Sequence, residues 1–389
     1  MLNLIRSIYL HTVHRLFKPL IDKIILYDVY ATIFIIAIYL VKGRKYKAVK
    51  YMKKGFEDHR LEVTLGGVEY DSILKRIIDA YQKAKEDQKK VNQPAYEVGI
   101  QWQHNLDHNY GELKTALSDY NIESLKGLLE NFSRPKRPTK QPIYKYLFIN
   151  TWYKYYDLCR QVTGKTPVLT YPLVGNPVGL YHDNKVIPID AFRFYYCATQ
   201  MLLILDGIDH PVIAEIGGGH GGQIYTVISS SQHPLTYINL DIPEILVIAT
   251  YFLMAAFPEK RFLLYGEGGI HPSNLKNYDM VMLPHFTLPQ LGDETVDLFF
   301  NQRSFCEMGR STVIEYIHQI ERICRGYLMH INHNNKSQFE ENLPGTEILP
   351  DPKTFKKIYQ YPWIFNKLSD EINYKGTDYI AFLFEKRKA

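Results

Sequence analysis

From about residue 206 onward, short apolar runs alternate with longer helix-compatible stretches. The runs predict strands over Val212–Ile216, Tyr237–Asp241, Val296–Asn301 and Tyr327–Asn332. Arg261–Tyr265 and Asp279–Leu283 are two candidates for the third strand. Glu371–Tyr374 and Tyr379–Glu385 come last, joined around Lys375-Gly376, and predict a terminal antiparallel hairpin. Helices are expected from about Gln223, over 244–257 with Pro243 at its first position, and from about Gly309. The expected class is α/β: a Rossmann-like sheet with an antiparallel C-terminal strand, behind a mostly helical N-terminal region.

Upstream, Val178–His182 and Lys185–Ile189 flank the turn-forming pair Asp183-Asn184 and read as a β-hairpin. A helix from Asp190 to Leu205 follows. Residues 144–165 read as an aromatic helix, so 146–205 is a helix plus hairpin placed to cover a substrate. Residues 61–145 read as helical and polar, with a Lys/Glu/Gln-rich face at 82–93. Ser133–Pro142 holds three prolines in ten residues and is the expected boundary. Residues 206–389 form the expected catalytic domain.

The first 60 residues change the picture. They carry 12 Lys/Arg against 4 Asp/Glu, a balance of +8, while the whole 389-residue chain has a net charge of +5. Inside this basic arm, Val29–Val41 is 13 residues without a charge. As a helix that is about 20 Å, short of a hydrocarbon core of about 30 Å. Extending it back to Ile24 brings in Asp28. Three readings stand: a helix on an anionic membrane surface, a helix packed on the body or on a second copy, and a span made costly by Asp28. The first places the protein in the cytoplasm at the inner face of the membrane, and the second, where the helix packs on another copy, implies a homo-oligomer. No signal-peptide cleavage pattern is seen. The four scattered cysteines, without a C-x-x-C pair, suggest a reducing compartment and neither zinc nor a disulfide framework. No basic stretch has the pattern of a nucleic-acid partner. The 31 tyrosines suit sugar stacking or plain packing.

The chemistry concentrates at Val212-Ile-Ala-Glu-Ile-Gly-Gly-Gly-His-Gly-Gly222. A strand, a glycine turn and a helix make a nucleotide-type cofactor site. Gly217, Gly219 and Gly222 satisfy G-x-G-x-x-G; Glu215, Gly217, Gly219 and Gly221 satisfy E-x-G-x-G-x-G. A carboxylate before the first glycine suits a ligand with a cationic amino-acid end, such as S-adenosylmethionine, better than the pyrophosphate of NAD. Asp241, 24 residues after Gly217, ends the second strand where an acid accepts hydrogen bonds from ribose hydroxyls; it also suits an N-cap.

Glu-Ile-Gly-Gly-Gly-His-Gly-Gly (215–222), Asn-Leu-Asp-Ile-Pro-Glu (239–244) and Asn-Gln-Arg-Ser-Phe-Cys-Glu-Met (301–308) together resemble the bacterial sugar O-methyltransferases. These are class I S-adenosylmethionine-dependent enzymes found among surface-polysaccharide genes. The resemblance covers about 150–389 and departs at His220, where an aromatic such as tyrosine is expected. It implies a class I methyltransferase sheet, S-adenosylmethionine as cofactor, and a sugar hydroxyl of a surface glycan or its precursor as acceptor. The implied cofactor contacts are Glu215, Gly217, Gly218, Gly219, Gly221, Asp241 and Ile242. An NAD-dependent sugar oxidoreductase and a non-catalytic membrane-associated scaffold are the alternatives.

Methylating a sugar hydroxyl requires in-line positioning and removal of a proton from a weak acid. Glu307, after the fourth strand, is the leading base, with helix capping as its alternative role. His220 and His285 are the alternative bases; His333 follows the fifth strand. Arg303 is placed to pair with a sugar carboxylate or with a core acid. Asn301 and Ser304, beside it, and Tyr181, His182 and Arg193, on the hairpin and its helix, are the other candidate substrate contacts. No cluster has metal-ligand spacing.

Overall fold

The computed structural model describes residues 67–133, 142–183, 185–337, 339, 341–365 and 379–388. The basic arm, nearly all of the proline-rich boundary and Glu371–Tyr374 lie outside these residues. Among them the chain begins with four helices: α1 (Gly67–Gln88), α2 (Ile100–His108), α3 (Gly111–Ser118) and α4 (Ile122–Leu129). Helix α5 (Pro142–Thr163) precedes the hairpin of β1 (Leu180–His182) and β2 (Lys185–Ile187), in which Tyr181 stands opposite Val186. Helix α6 (Ala191–Ile204) leads into the sheet.

The body then runs β3 (Val212–Ile216), α7 (Gly222–Ser230), β4 (Thr236–Asp241), α8 (Pro243–Ala256), β5 (Phe262–Leu264), α9 (Pro272–Leu275) and β6 (Met280–Pro284). It continues with β7 (Val296–Gln302), α10 (Arg310–Ile323), β8 (Cys324–His333), β9 (Phe355–Pro362) and β10 (Tyr379–Lys386). These eight strands form one sheet in the order β5-β6-β4-β3-β7-β8-β10-β9. The first six pair in parallel, and β10 runs antiparallel to both neighbours. This is a class I methyltransferase sheet with its antiparallel C-terminal strand. Both third-strand candidates form: β6 takes the third position and β5 extends the edge.

The strand beside β10 is not the one expected. Phe355–Pro362 occupies the outer side of β10 and β8 the inner. The segment Phe-Lys-Lys-Ile-Tyr-Gln-Tyr-Pro reads weakly because it is an edge strand. Its lysines face solvent and its proline ends the ladder, both ordinary for an edge.

Strands β3, β4, β6 and β7 are buried along their whole length, as a parallel sheet covered on both faces requires. Helix α8 is buried on nearly all sides, from Pro243 to Ala255. Its sequence, Pro-Glu-Ile-Leu-Val-Ile-Ala-Thr-Tyr-Phe-Leu-Met-Ala-Ala, has no polar face, so it needs a cover beyond the sheet. Helix α1 supplies that cover: Leu74, Ile77, Ile78 and Tyr81 are buried in the same core as α8. The N-terminal helices are thus a third layer, not a solvated appendage.

Candidate functional site

The glycine loop joins β3 to α7 at the sheet's switch point. Gly217 has φ +74° and lies against Ser304, leaving no room for a side chain. Its N–H donates to Leu240 O (2.8 Å), which clips the loop to β4. Gly218 packs against Asn239 and Glu215, and Gly221 enters α7 at φ +89°. Asp241 ends β4. One of its carboxylate oxygens accepts from Gly219 N (2.9 Å), the other from Ile242 N (2.8 Å). The N-cap position of α8 belongs to Ile242, so Asp241 is not the cap; its carboxylate ties the loop to the peptide that enters the helix.

A small, open cleft lies here. Ile216, Gly217, Asp241, Ile242, His285, Glu307 and Tyr316 line it, together with Glu97, Val98, Gly99 and Trp102 from the segment at the start of α2. His285 holds that segment there, one ring nitrogen 2.9 Å from Tyr96 O and the other 3.4 Å from Asp241 O.

The acidic groups in the cleft's lining are Glu97, Asp241 and Glu307. Burial pushes Asp241 up to about 7 against the lowering effect of its two backbone N–H donors. Burial raises Glu307 to about 7, opposed by a hydrogen bond from Trp102 and by the charge of Arg303. Beneath the loop Glu215, 3% exposed, is raised by burial to about 8 although Tyr237 donates to it (2.9 Å). Asp241, Glu307 and Glu215 are all poised to ionise when a cation arrives.

The other candidates fall in different places. Glu307 closes the turn Phe305–Glu307, and no hydrogen bond from α10 goes to its side chain among the described residues; Gly309 holds the N-cap position. His220 shares one hydrogen bond with Tyr171 OH (2.8 Å) inside a cage of Phe132, Phe194 and Phe252. Burial lowers it to about 4, so it fills the place of an aromatic as a neutral ring. Asn301 and Ser304 both donate to Ile216 O (2.8 and 2.9 Å), bracing the loop from behind. His182 packs on Trp152 and Tyr156 of α5, away from the glycine loop; the side chain of Tyr181 lies outside the described residues. Arg193 and Arg303 stand together beyond Glu307. Among the described residues no cluster of His, Cys, Asp or Glu could hold a metal ion, and no helix is long and apolar enough to cross a membrane.

No protein-family model and no curated protein matches this chain. Solved structures similar to part of this chain include methyltransferases. A geranyl diphosphate C-methyltransferase from Streptomyces coelicolor is 12% identical over 65% of this chain and 99% of its own, with a TM-score of 0.35. A phosphoethanolamine N-methyltransferase from Haemonchus contortus is 12% identical over 49% and 53%, TM-score 0.33. A SAM-dependent methyltransferase from Aquifex aeolicus is 12% identical over 49% and 88%, TM-score 0.30. Likeness at this level carries no residue role to this chain.

Sequence reasoning missed Tyr96, Trp102 and Asn239. The first two come from a polar stretch far from the motifs, and only folding brings Trp102 to the cleft and Tyr96 to His285. Asn239 carried a signal: it sits two residues before Asp241 on β4, in register with Glu215. Its amide nitrogen and oxygen are buried without a protein partner.

Glu215 makes a stability prediction. Its folded pKa lies above the unfolded carboxyl value, so its contribution is fully present below about 4.3 and is lost as pH rises through about 8. Glu215→Gln keeps an acceptor for Tyr237 and removes that loss. Between pH 5 and pH 9 the variant should lose less urea resistance than the parent, the difference being about 1–3 kcal/mol. Parallel pH profiles for the two proteins would show that Glu215 is not held protonated.

Proposed function

We propose that this protein is an S-adenosylmethionine-dependent O-methyltransferase acting on a sugar hydroxyl of a bacterial surface glycan or its precursor. The observation that carries the cofactor reading is the set of ionisable carboxyls at the cleft. Asp241 and Glu307 line it and Glu215 lies beneath its loop. Such a floor suits an ammonium and a sulfonium and repels a pyrophosphate, which disfavours the NAD alternative. The orphaned amide of Asn239 beside the loop fits a ligand that supplies its own polar atoms. Asp241 would meet the ribose end, and the loop with Glu215 the amino-acid end.

When bound, the cofactor supplies an electrophilic methyl carbon. The protein must hold the acceptor oxygen in line with it and take the hydroxyl proton. Glu307 is suited to taking that proton, being partly buried, oriented by Trp102, and with a pKa near 7. The sugar acceptor rests on the resemblance of the three motifs.

Calorimetric titration tests the cofactor reading. S-adenosylhomocysteine should bind and NADH should not. At pH 7 its ammonium should also drive protons off the cleft carboxyls, so the heat should change between buffers of high and low ionisation enthalpy. NADH binding without S-adenosylhomocysteine binding would overturn the reading. Mass spectrometry of candidate glycans after incubation with labelled methyl donor tests the acceptor.

A further inference from the structure

Beyond Glu307 the structure gathers more positive charge than it neutralises. Arg303 follows β7 in a left-handed conformation, φ +66°, with its N–H bonded to Ile331 O (2.8 Å). A non-glycine residue is uncommon there, and such residues cluster where a side chain must be aimed at a ligand. Its guanidinium lies over the ring of Tyr379, 4.6 Å from the centroid. Its Nε is buried and has no hydrogen-bond partner, and among the described residues no carboxylate pairs with it. The core acid that the sequence left open for Arg303 is absent from these residues.

Arg193 approaches from α6, near enough for its charge to disfavour that of Arg303. It donates to Asp190 (2.8 Å) and to Gln302 (2.7 Å) and covers the Phe194 ring at 4.4 Å. Asp190 is the one carboxylate paired with either arginine among the described residues, and its side chain is 52% exposed. Two guanidiniums in a desolvated place share one paired carboxylate, that of Asp190, which leaves Arg303 without a bonded counter-ion, an arrangement that an anion relieves.

We propose that Arg303, with Arg193 beside it, binds an anionic group of the acceptor, a carboxylate or a phosphate, next to the base Glu307. The planar fork of Arg303, with no side-chain hydrogen bond to the protein among the described residues, suits either group. The acceptor is then an acidic sugar or a sugar phosphate, not a neutral sugar. This inference rests on the methyltransferase reading only for its account of what is bound; the anion site itself stands on the arginines.

The test titrates sodium glucuronate and glucose 1-phosphate into the full chain at low salt by calorimetry, with glucose as neutral control and S-adenosylhomocysteine in parallel. At least one acid should bind and glucose should not. Glucuronate alone assigns a carboxylate, glucose 1-phosphate alone a phosphate. Arg303→Gln should weaken that binding at least about tenfold, and Arg303→Lys, which keeps the charge but loses the fork, by less. Arg303→Lys keeps a cation over Tyr379 and should hold the melting temperature; a drop in melting temperature with unchanged acid binding in both variants would mark a structural arginine. Should Arg303→Gln fail to fold, Arg303→Lys and Arg193→Gln carry the comparison. The proposal falls if neither acid binds the parent protein, or if the folded variants bind as the parent does. Acid binding without S-adenosylhomocysteine binding would remove the cofactor reading alone. The reverse result would remove the anion site alone.

Discussion

Replacing Glu307 by glutamine is expected to lower kcat about 100-fold or more, the usual worth of a positioned general base. The shape of the side chain is kept, Trp102 retains an oxygen to donate to, and affinity for S-adenosylhomocysteine should stay nearly unchanged. The pH profile gives a second readout. A base must be ionised to work, and burial holds Glu307 near 7. In the parent protein kcat should therefore climb as pH rises through about 7 and then level; the variant should lose that limb. Near-normal turnover in the folded variant would move the base elsewhere. His220 and His285 are poor successors: the first is caged among aromatic rings, and the second holds Tyr96 O and faces Asp241 O.

Asp241→Ala should weaken S-adenosylhomocysteine binding by about 1–3 kcal/mol, the scale of a lost hydrogen bond to a charged group. The carboxylate also receives Gly219 N and Ile242 N, so alanine releases the loop as well as the ligand contact. Asp241→Asn separates the two. Its oxygen can still accept from the loop, but its charge is gone. If charge is what the cleft offers, Asp241→Asn should bind nearly as poorly as Asp241→Ala, while proton release on binding shrinks. Unchanged affinity in both folded variants would sink the role of Asp241.

Much of the sheet was legible because a strand buried on both faces leaves a local mark. Val212–Ile216, Tyr237–Asp241 and Val296–Asn301 are apolar runs bounded by turn residues, and each forms a fully buried strand. The glycine loop was legible for a related reason: backbone at φ +74° pressed against Ser304 admits only glycine. The partner of β10 was not legible. An edge strand such as Phe355–Pro362 is half solvated, so its lysines and terminal proline look like loop.

By itself, then, the sequence determined the glycine loop, the acid at the end of β4, the carboxylate after β7 and the antiparallel last strand. These depend on conformational limits and short-range patterning, which are written residue by residue. Tertiary structure alone decided what covers them and which charges meet. Helix α8, apolar on every side, implied a further layer, but only packing showed that α1 provides it. Trp102 reaches Glu307, and Tyr96 reaches His285, although each pair is far apart in the chain. Arg193 and Arg303 become neighbours only when α6 lies against the end of β7. Burial, and with it every raised carboxyl and every unpaired guanidinium, is a property of that assembly, because desolvation depends on what surrounds a group in space and not on what precedes it in the chain.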